Sequence, residues 1–292
     1  MTHRLAVLTM VGATLLWSIA GVVTLQLESA RSFEVTFWRS FFNAMALLFL
    51  LPLLRGPGRV WRSIADGGRT LWVSGLCWCV MFTAFMLAMT LTTVANVLVT
   101  MAISPLLTAL IARLVLGNRL PARTWAAVVV AGLGIAWMYA NEANGAGPKH
   151  LLGSVVALGV PVAAAINWTV IQANRKRADH DLLPAVLIGA LVSALITLPL
   201  SLPLKGSLHD VGWLALLGVA QLAVPCLMSV TAARALSAPE VSLLGLLEIV
   251  FGVAWPWLGG REAPSVHVLG GGVVVLAALA LNEAVALRRR LV

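Results

Sequence analysis

Residues 94–105 read VANVLVTMAISP, and 144 positions further on residues 238–249 read APEVSLLGLLEI. At that offset the longer stretches 94–138 and 238–282 are similar, and the turn LGNRLP at 116–121 lies near GGREAPS at 259–265. Earlier in each copy a tryptophan stands in a small-residue segment, Trp17 in TLLWSIAG (14–21) and Trp168 in AAINWTVI (164–171). The chain therefore reads as one unit used twice, over residues 1–145 and 146–292.

What the unit is made of follows from composition. Of the 292 residues 60 % are apolar and only 11 % charged, against about 45–50 % and roughly 25 % in soluble domains. Between clustered charges lie apolar runs close to the ~20 residues that cross a bilayer. Ten are readable: 5–25, 34–54, 70–90, 94–115, 124–141, 151–172, 183–203, 211–231, 239–258 and 264–286. Pro199, Pro203 and Pro225 blur the edges of the seventh and eighth. The first run lacks a small-residue cleavage site and reads as a membrane helix rather than a removed signal peptide. The fold class expected is an all-α integral membrane protein of ten helices.

Five spans per copy is an odd number, so the second copy must enter the membrane the other way up. The charges agree with this. With a cytoplasmic N-terminus, the inner side receives Arg4, Arg55, Arg59, Arg62, Arg69, Arg113, Arg119, Arg123, Arg175, Lys176, Arg177, Arg234, Arg288, Arg289 and Arg290, and the outer side only Arg31, Lys149, Lys205 and Arg261. That asymmetry is a positive-inside signal that puts both termini in the cytoplasm. The net charge of +9 is then a topology signal with attraction to anionic headgroups, and it argues against a nucleic-acid partner. Inverted repeats hold a transported molecule near the midplane between the halves.

The residues LLWSIAG in the first helix, FWRSFF in the second and SPLLTALIARLVLGNRLP around the fourth-to-fifth turn, with LLGLLEIVFGVAWPWLGGREAPS in the second half, resemble the EamA-type branch of the drug/metabolite transporter superfamily. The resemblance runs over nearly the full length and is nearest to the YddG-type bacterial exporters of aromatic amino acids. It implies an inner-membrane carrier that exports small organic metabolites, amino acids including aromatic ones, by alternating access. Two positions depart from the pattern: Asn118 where such turns have glutamate, and Ile249 where the second repeat has proline.

In lipid, a polar or small-residue stripe at helical spacing marks the face turned towards protein or water. Such stripes run through Thr14, Ser18, Gly21 and Thr24; Asn96, Thr100, Ser104 and Thr108; Ala157, Pro161, Ala164 and Trp168; Gly218, Gln221, Pro225 and Ser229; and Ser242, Gly245, Glu248, Gly252 and Trp255. The third helix adds Trp78, Met81, Phe82, Phe85 and Met89. Small residues also line ordinary helix contacts, but three stripes per repeat fit a shared cavity. The second, fifth, seventh and tenth helices are mainly aliphatic and expected outside it. The expected cargo contacts are Trp17, Trp78, Phe82, Asn96, Met101, Asn167, Trp168, Gln221 and Glu248. Aromatic faces and sulfur suit a flat, partly apolar molecule, and amides a neutral or zwitterionic head. Pro105, Pro161, Pro225 and Pro256 are the expected bends.

Two ionisable residues sit inside spans. Glu248 lies about 15 Å into the ninth helix, either binding a cargo amine or carrying a proton, or else bonding Gln221 or Asn96 within the fold. Arg39 lies about 9 Å into the second. It either snorkels to the headgroups beside Glu28 and Glu34 or closes an outer gate. Cys77, Cys79 and Cys226 read as small buried apolar residues. The five histidines are dispersed, so no metal or cofactor is expected. No Gly-rich phosphate loop or Ser/His/Asp grouping stands at membrane depth, which favours a carrier over a membrane-embedded lipid enzyme; a channel, the third reading, differs from a carrier in showing unsaturable flux.

Overall fold

The structure, a computed structural model, describes residues 1–24, 26–30, 32–92, 94–117, 121–139, 148–174, 181–258 and 266–291, without the side chains of 32, 94, 95, 138, 139, 253, 256, 257, 268, 283, 284 and 286–291. Asn118, the basic turns around 119 and 175–177, and Arg261-Glu262 lie outside the described residues.

A backbone immersed in hydrocarbon must satisfy its own polar groups, and helices are the local way to do so. The ten apolar runs fall on α1–α2 (His3–Trp17, Ala20–Thr24), α3 (Ser32–Arg55), α5 (Gly68–Leu91), α6–α7 (Val94–Met101, Ser104–Leu116), α8 (Ala122–Tyr139), α9 (Pro148–Asn174), α10 (Pro184–Ser201), α11 with α12 (Leu208–Leu216, Val224–Ala233), α13–α14 (Ala238–Gly245, Leu247–Leu258) and α15 (Val266–Leu291). Among the described residues seven helical stretches are long and apolar enough to cross a membrane; Ala122–Trp137 and Leu269–Asn282 are shorter apolar helices. Between α3 and α5 lies an unforeseen short helix, α4 (Pro57–Asp66), reached through Gly56 in a left-handed conformation that favours glycine.

Packing repeats when the halves are exchanged. α3 rests on its counterpart α10, and α8 on its counterpart α15. α5 lies along α9 as α12 lies along α1, and α5 meets α10 as the segment after α11 meets α3. The close approaches repeat too. A Cβ on Gly75 would meet Ile188 Cγ2 at 2.7 Å, and one on Gly218, 143 positions later, would meet Phe42 Cβ at 2.5 Å and the Arg39 carbonyl at 2.8 Å. Gly218→Ala should therefore cost about 1–3 kcal/mol by overpacking. Gly212→Ala, with nothing within 4 Å, is the control. Thermal unfolding of both variants in one detergent checks the contrast.

Helix breaks recur at equivalent positions. α6 ends at Met101 and α13 at Gly245, 144 residues apart. Each break tightens through an i−3 bond: Ile103 N–H donates to the Thr100 carbonyl at 3.2 Å, and Leu246 N–H to the Leu243 carbonyl at 3.1 Å. In the first break Pro105 offers no N–H to the preceding turn. The second has Ile249 there and breaks all the same, so the missing proline leaves the break in place. Pro225 acts differently. Its ring opposes the carbonyl four residues back, that of Gln221, and the chain before it widens into a π-helical turn over Leu217–Ala223. There Val224 N–H reaches back five residues to Val219. α9, by contrast, runs through Pro161 as one helix. Pro256 lies within α14, its side chain outside the described residues.

Two carboxylates fasten the halves to each other. Asp210, fully buried in the first turn of α11, accepts from the Glu28, Ser29 and Ala30 N–H groups at 2.9–3.0 Å and from Ser29 Oγ at 2.7 Å. Reciprocally, Glu34 on α3 accepts from Lys205 N–H at 3.0 Å and Gly206 N–H at 2.8 Å. Each half grips the other's connecting loop. At the opposite end of α3, Arg55 pairs with Asp181 of the second half at 3.4 Å.

Candidate functional site

The broken helices converge on a cavity with about 910 Å³ of empty space, its mouth included. The first half supplies Met10 and Trp17 from α1, Arg39 from α3, Trp78, Met81, Phe82 and Phe85 from α5, and Met101 and Ser104 from the two sides of the α6–α7 break. The second half supplies Val160, Pro161, Ala164 and Trp168 from α9, Gln221, Leu222 and Cys226 from the π turn and α12, and Val241, Ser242, Gly245, Leu246, Glu248 and Ile249 around the α13–α14 break. α8, α10 and α15 contribute nothing to this lining. α3 does, through Arg39, contrary to the expectation that it would stay outside.

The aromatic wall is ordered. Trp78 meets Trp168 edge-on at 5.7 Å and 88°, and lies 5.6 Å from Phe82 at 30°. Trp17 closes α1, and Ser18 beyond it accepts from Trp255 Nε1 at 2.8 Å, tying the break in α1 to α14. Ser104 and Ser242 meet at 2.9 Å across the two equivalent breaks.

Arg39 neither snorkels nor braces a helix end. Its side chain is buried (5 % exposed) and Nη2 donates to Gln221 Oε1 at 2.8 Å, while Gln221 Nε2 donates to the Trp17 carbonyl at 3.1 Å. The expected neutralisers are occupied or elsewhere: Glu34 is spent on the 205–206 backbone. An arginine turned to lipid costs about 2.5–3.5 kcal/mol at a span's centre, and the contact between Gly218 and α3 fixes the helix so that Arg39 points inward instead. Glu248 begins α14 and faces the same cavity. Gln221 and Asn96 are not its partners; among the described residues it forms no hydrogen bond or ion pair. The cavity lining thus holds one basic and one acidic side chain, Arg39 and Glu248.

Two expected amides lie apart from the lining. Asn96 donates to Ser154 Oγ at 2.7 Å and Thr92 Oγ1 at 3.0 Å, holding α6 to α9. Asn167, fully buried, accepts from Ser74 Oγ at 2.6 Å between α9 and α5. Their helix faces belong to packing. Trp17, Trp78, Phe82, Met101, Trp168, Gln221 and Glu248 do come together around the cavity, with Arg39 and Pro161; Pro105 and Pro225 do not line it. Among the described residues no group of His, Cys, Asp or Glu is placed to hold a metal ion.

The comparisons with known proteins turn on the repeat. A model of the EamA-like transporter family matches twice, over residues 4–140 and 151–283. The chain belongs to the EamA-like transporter family. It is accordingly a multi-pass membrane transporter of small molecules built from two repeats, and not an enzyme by family. A crystal structure described only as that of a protein superposes with a TM-score of 0.82 over 99 % of this chain and 99 % of its own, at 18 % identity. At that identity the likeness shows the fold. No curated protein matches the chain.

Proposed function

We propose that this EamA-like protein is an exporter of small, partly apolar metabolites, amino acids with aromatic ones among them, in the bacterial inner membrane. In this reading the helical units make ten crossings, residues 1–145 and 146–292 are the inverted repeats, and both termini are cytoplasmic. The halves rock about the shared cavity, which opens to one side at a time.

One observation carries the cargo reading: tryptophan and phenylalanine rings line the same cavity as Arg39, its partner Gln221, and Glu248. Rings and methionine sulfur favour a flat apolar body, and the polar side chains a charged head. A multiply anionic cargo would need several cations at depth, whereas among the described residues Arg39 is the only arginine or lysine in the lining. The broken helices point the same way, since discontinuous helices mark the sites of carriers with inverted repeats.

The test is flux into proteoliposomes across a panel of amino acids and other metabolites. Saturable transport of aromatic amino acids is expected. Their failure either to move or to compete would remove that cargo, and unsaturable flux would indicate a channel. Imposing a pH gradient of either sign on the same vesicles tests coupling to protons: a coupled carrier reverses its accumulation with the gradient, and a facilitator does not.

A further inference from the structure

Arg39 and Glu248 line one cavity, yet among the described residues they form no ion pair. Charges taken out of water are costly unless something compensates them. Arg39 is compensated in part: Nη2 has Gln221, but Nε is buried without an acceptor. Trp78 Nε1 is a second buried donor without an acceptor among the described residues. Glu248, in the first turn of α14, accepts no hydrogen bond among the described residues. The lining thus holds one basic and one acidic side chain that do not bond each other.

We propose that these two side chains read a zwitterion: Arg39 takes the cargo's anionic group, Glu248 its ammonium, and the rings of Trp78 and Trp168 its apolar body. This rests on the carrier reading above and sharpens it to a head-group rule. A basic and an acidic side chain that do not bond each other discriminate twice, because a cargo lacking either charge leaves one of them without a partner. Gln221 is the positioning residue. It stands on the π turn, where Pro225 has displaced the ordinary helical register, and its amide spans from the guanidinium to the open carbonyl of Trp17. The arginine is thereby held in register with the end of α1, one of the helices broken at the cavity.

The experiment measures competition for saturable flux in proteoliposomes with two matched sets of probes. One is aromatic: L-phenylalanine, 3-phenylpropionate and 2-phenylethylamine. The other is aliphatic: L-leucine, 4-methylpentanoate and 3-methylbutylamine. The zwitterion is expected to compete about tenfold or more better than the acid or the amine of its set. Arg39→Gln should weaken zwitterion and acid by about tenfold and leave the amine within about twofold; Glu248→Gln should do the reverse. Gln221→Leu should follow Arg39→Gln in kind, raising half-saturation for anion-bearing probes alone. A merely structural role would weaken all probes together, and unfolding temperatures of the variants separate that case. The inference is overturned if acid or amine competes as well as the zwitterion in every set that competes, if each variant weakens all probes alike, or if neither set is recognised. It is equally overturned if the double exchange Arg39→Glu with Glu248→Arg restores flux, which would make the two charges partners of each other. Discrimination within the aliphatic set alone leaves the head-group rule standing and removes the aromatic cargo.

Discussion

Replacing Asp210 by alanine should cost the protein roughly 3–5 kcal/mol and loosen one end of the interface between its halves. The carboxylate accepts three backbone N–H groups and one hydroxyl from the first half's 28–30 segment while fully buried. Each donor left buried and unpaired costs about 1–3 kcal/mol, partly recovered as the loop relaxes towards water. Should the variant fail to accumulate, Ser29→Ala supplies a milder form of the test. It removes the hydroxyl's bond to Asp210 and the one it accepts from Ser207 N–H at 3.3 Å, for a loss of about 1–2 kcal/mol. Thermal unfolding gives the stability term. Limited proteolysis gives the location: cleavage between residues 26 and 33 should accelerate in both variants and stay unchanged in Gly212→Ala. Equal protection in all three would mean that the clasp holds nothing together. Because Glu34 forms the mirror-image grip on 205–206, Glu34→Ala should combine with Asp210→Ala less than additively, as expected for residues of one interface.

Trp168→Ala should abolish measurable transport, and part of that loss is structural. Trp168 is 5 % exposed and stands edge-on to Trp78, so removing it costs about 3–5 kcal/mol in packing as well as a cavity wall. Trp168→Phe separates the two effects. It keeps an aromatic face and most of the volume, so the protein should stay folded while half-saturation rises several-fold and the maximal rate changes little. Trp17→Ala should harm stability less, since Trp17 is only partly buried, yet still reduce flux. Unchanged rates in both Trp17→Ala and Trp168→Phe would assign these rings to packing alone.

How much of this was legible can be judged residue by residue. The apolar runs were legible as helices, seven stretches among the described residues being long enough to cross a membrane, because a twenty-residue apolar run has few alternatives. So was the pairing of the two copies, since each repeat writes the same breaks and tryptophans at matching positions. The stripes of the third, sixth and ninth helices put most of their residues in the lining, whereas the first helix lines it through Met10 and Trp17 rather than its stripe, and the fourth and eighth through Ser104 and Gln221 of theirs. Arg39 shows where periodicity stops: depth along a helix can be counted, but rotation about its axis depends on the neighbour, here Gly218 pressed against Phe42. Asn96 and Asn167 fail for a related reason. An amide in a span must find partners, and the serines that satisfy these two, Ser154 and Ser74, lie 58 and 93 residues away. The Asp210 and Glu34 grips had no signal in the sequence, because their partners are backbone N–H groups of distant loops. Pro225 was expected to bend a helix; it widens one, and the π turn carries Gln221 to Arg39.

The account depends on a cavity that faces each side of the membrane in turn, and a single cysteine tests that directly. With Cys77, Cys79 and Cys226 replaced by alanine, Ser104→Cys places a thiol at the meeting of the two helix breaks. An impermeant thiol reagent applied to right-side-out and to inverted vesicles should label it from both faces, and cargo should slow both reactions. Labelling from one face only, or from both without any protection by cargo, would contradict alternating access at this site.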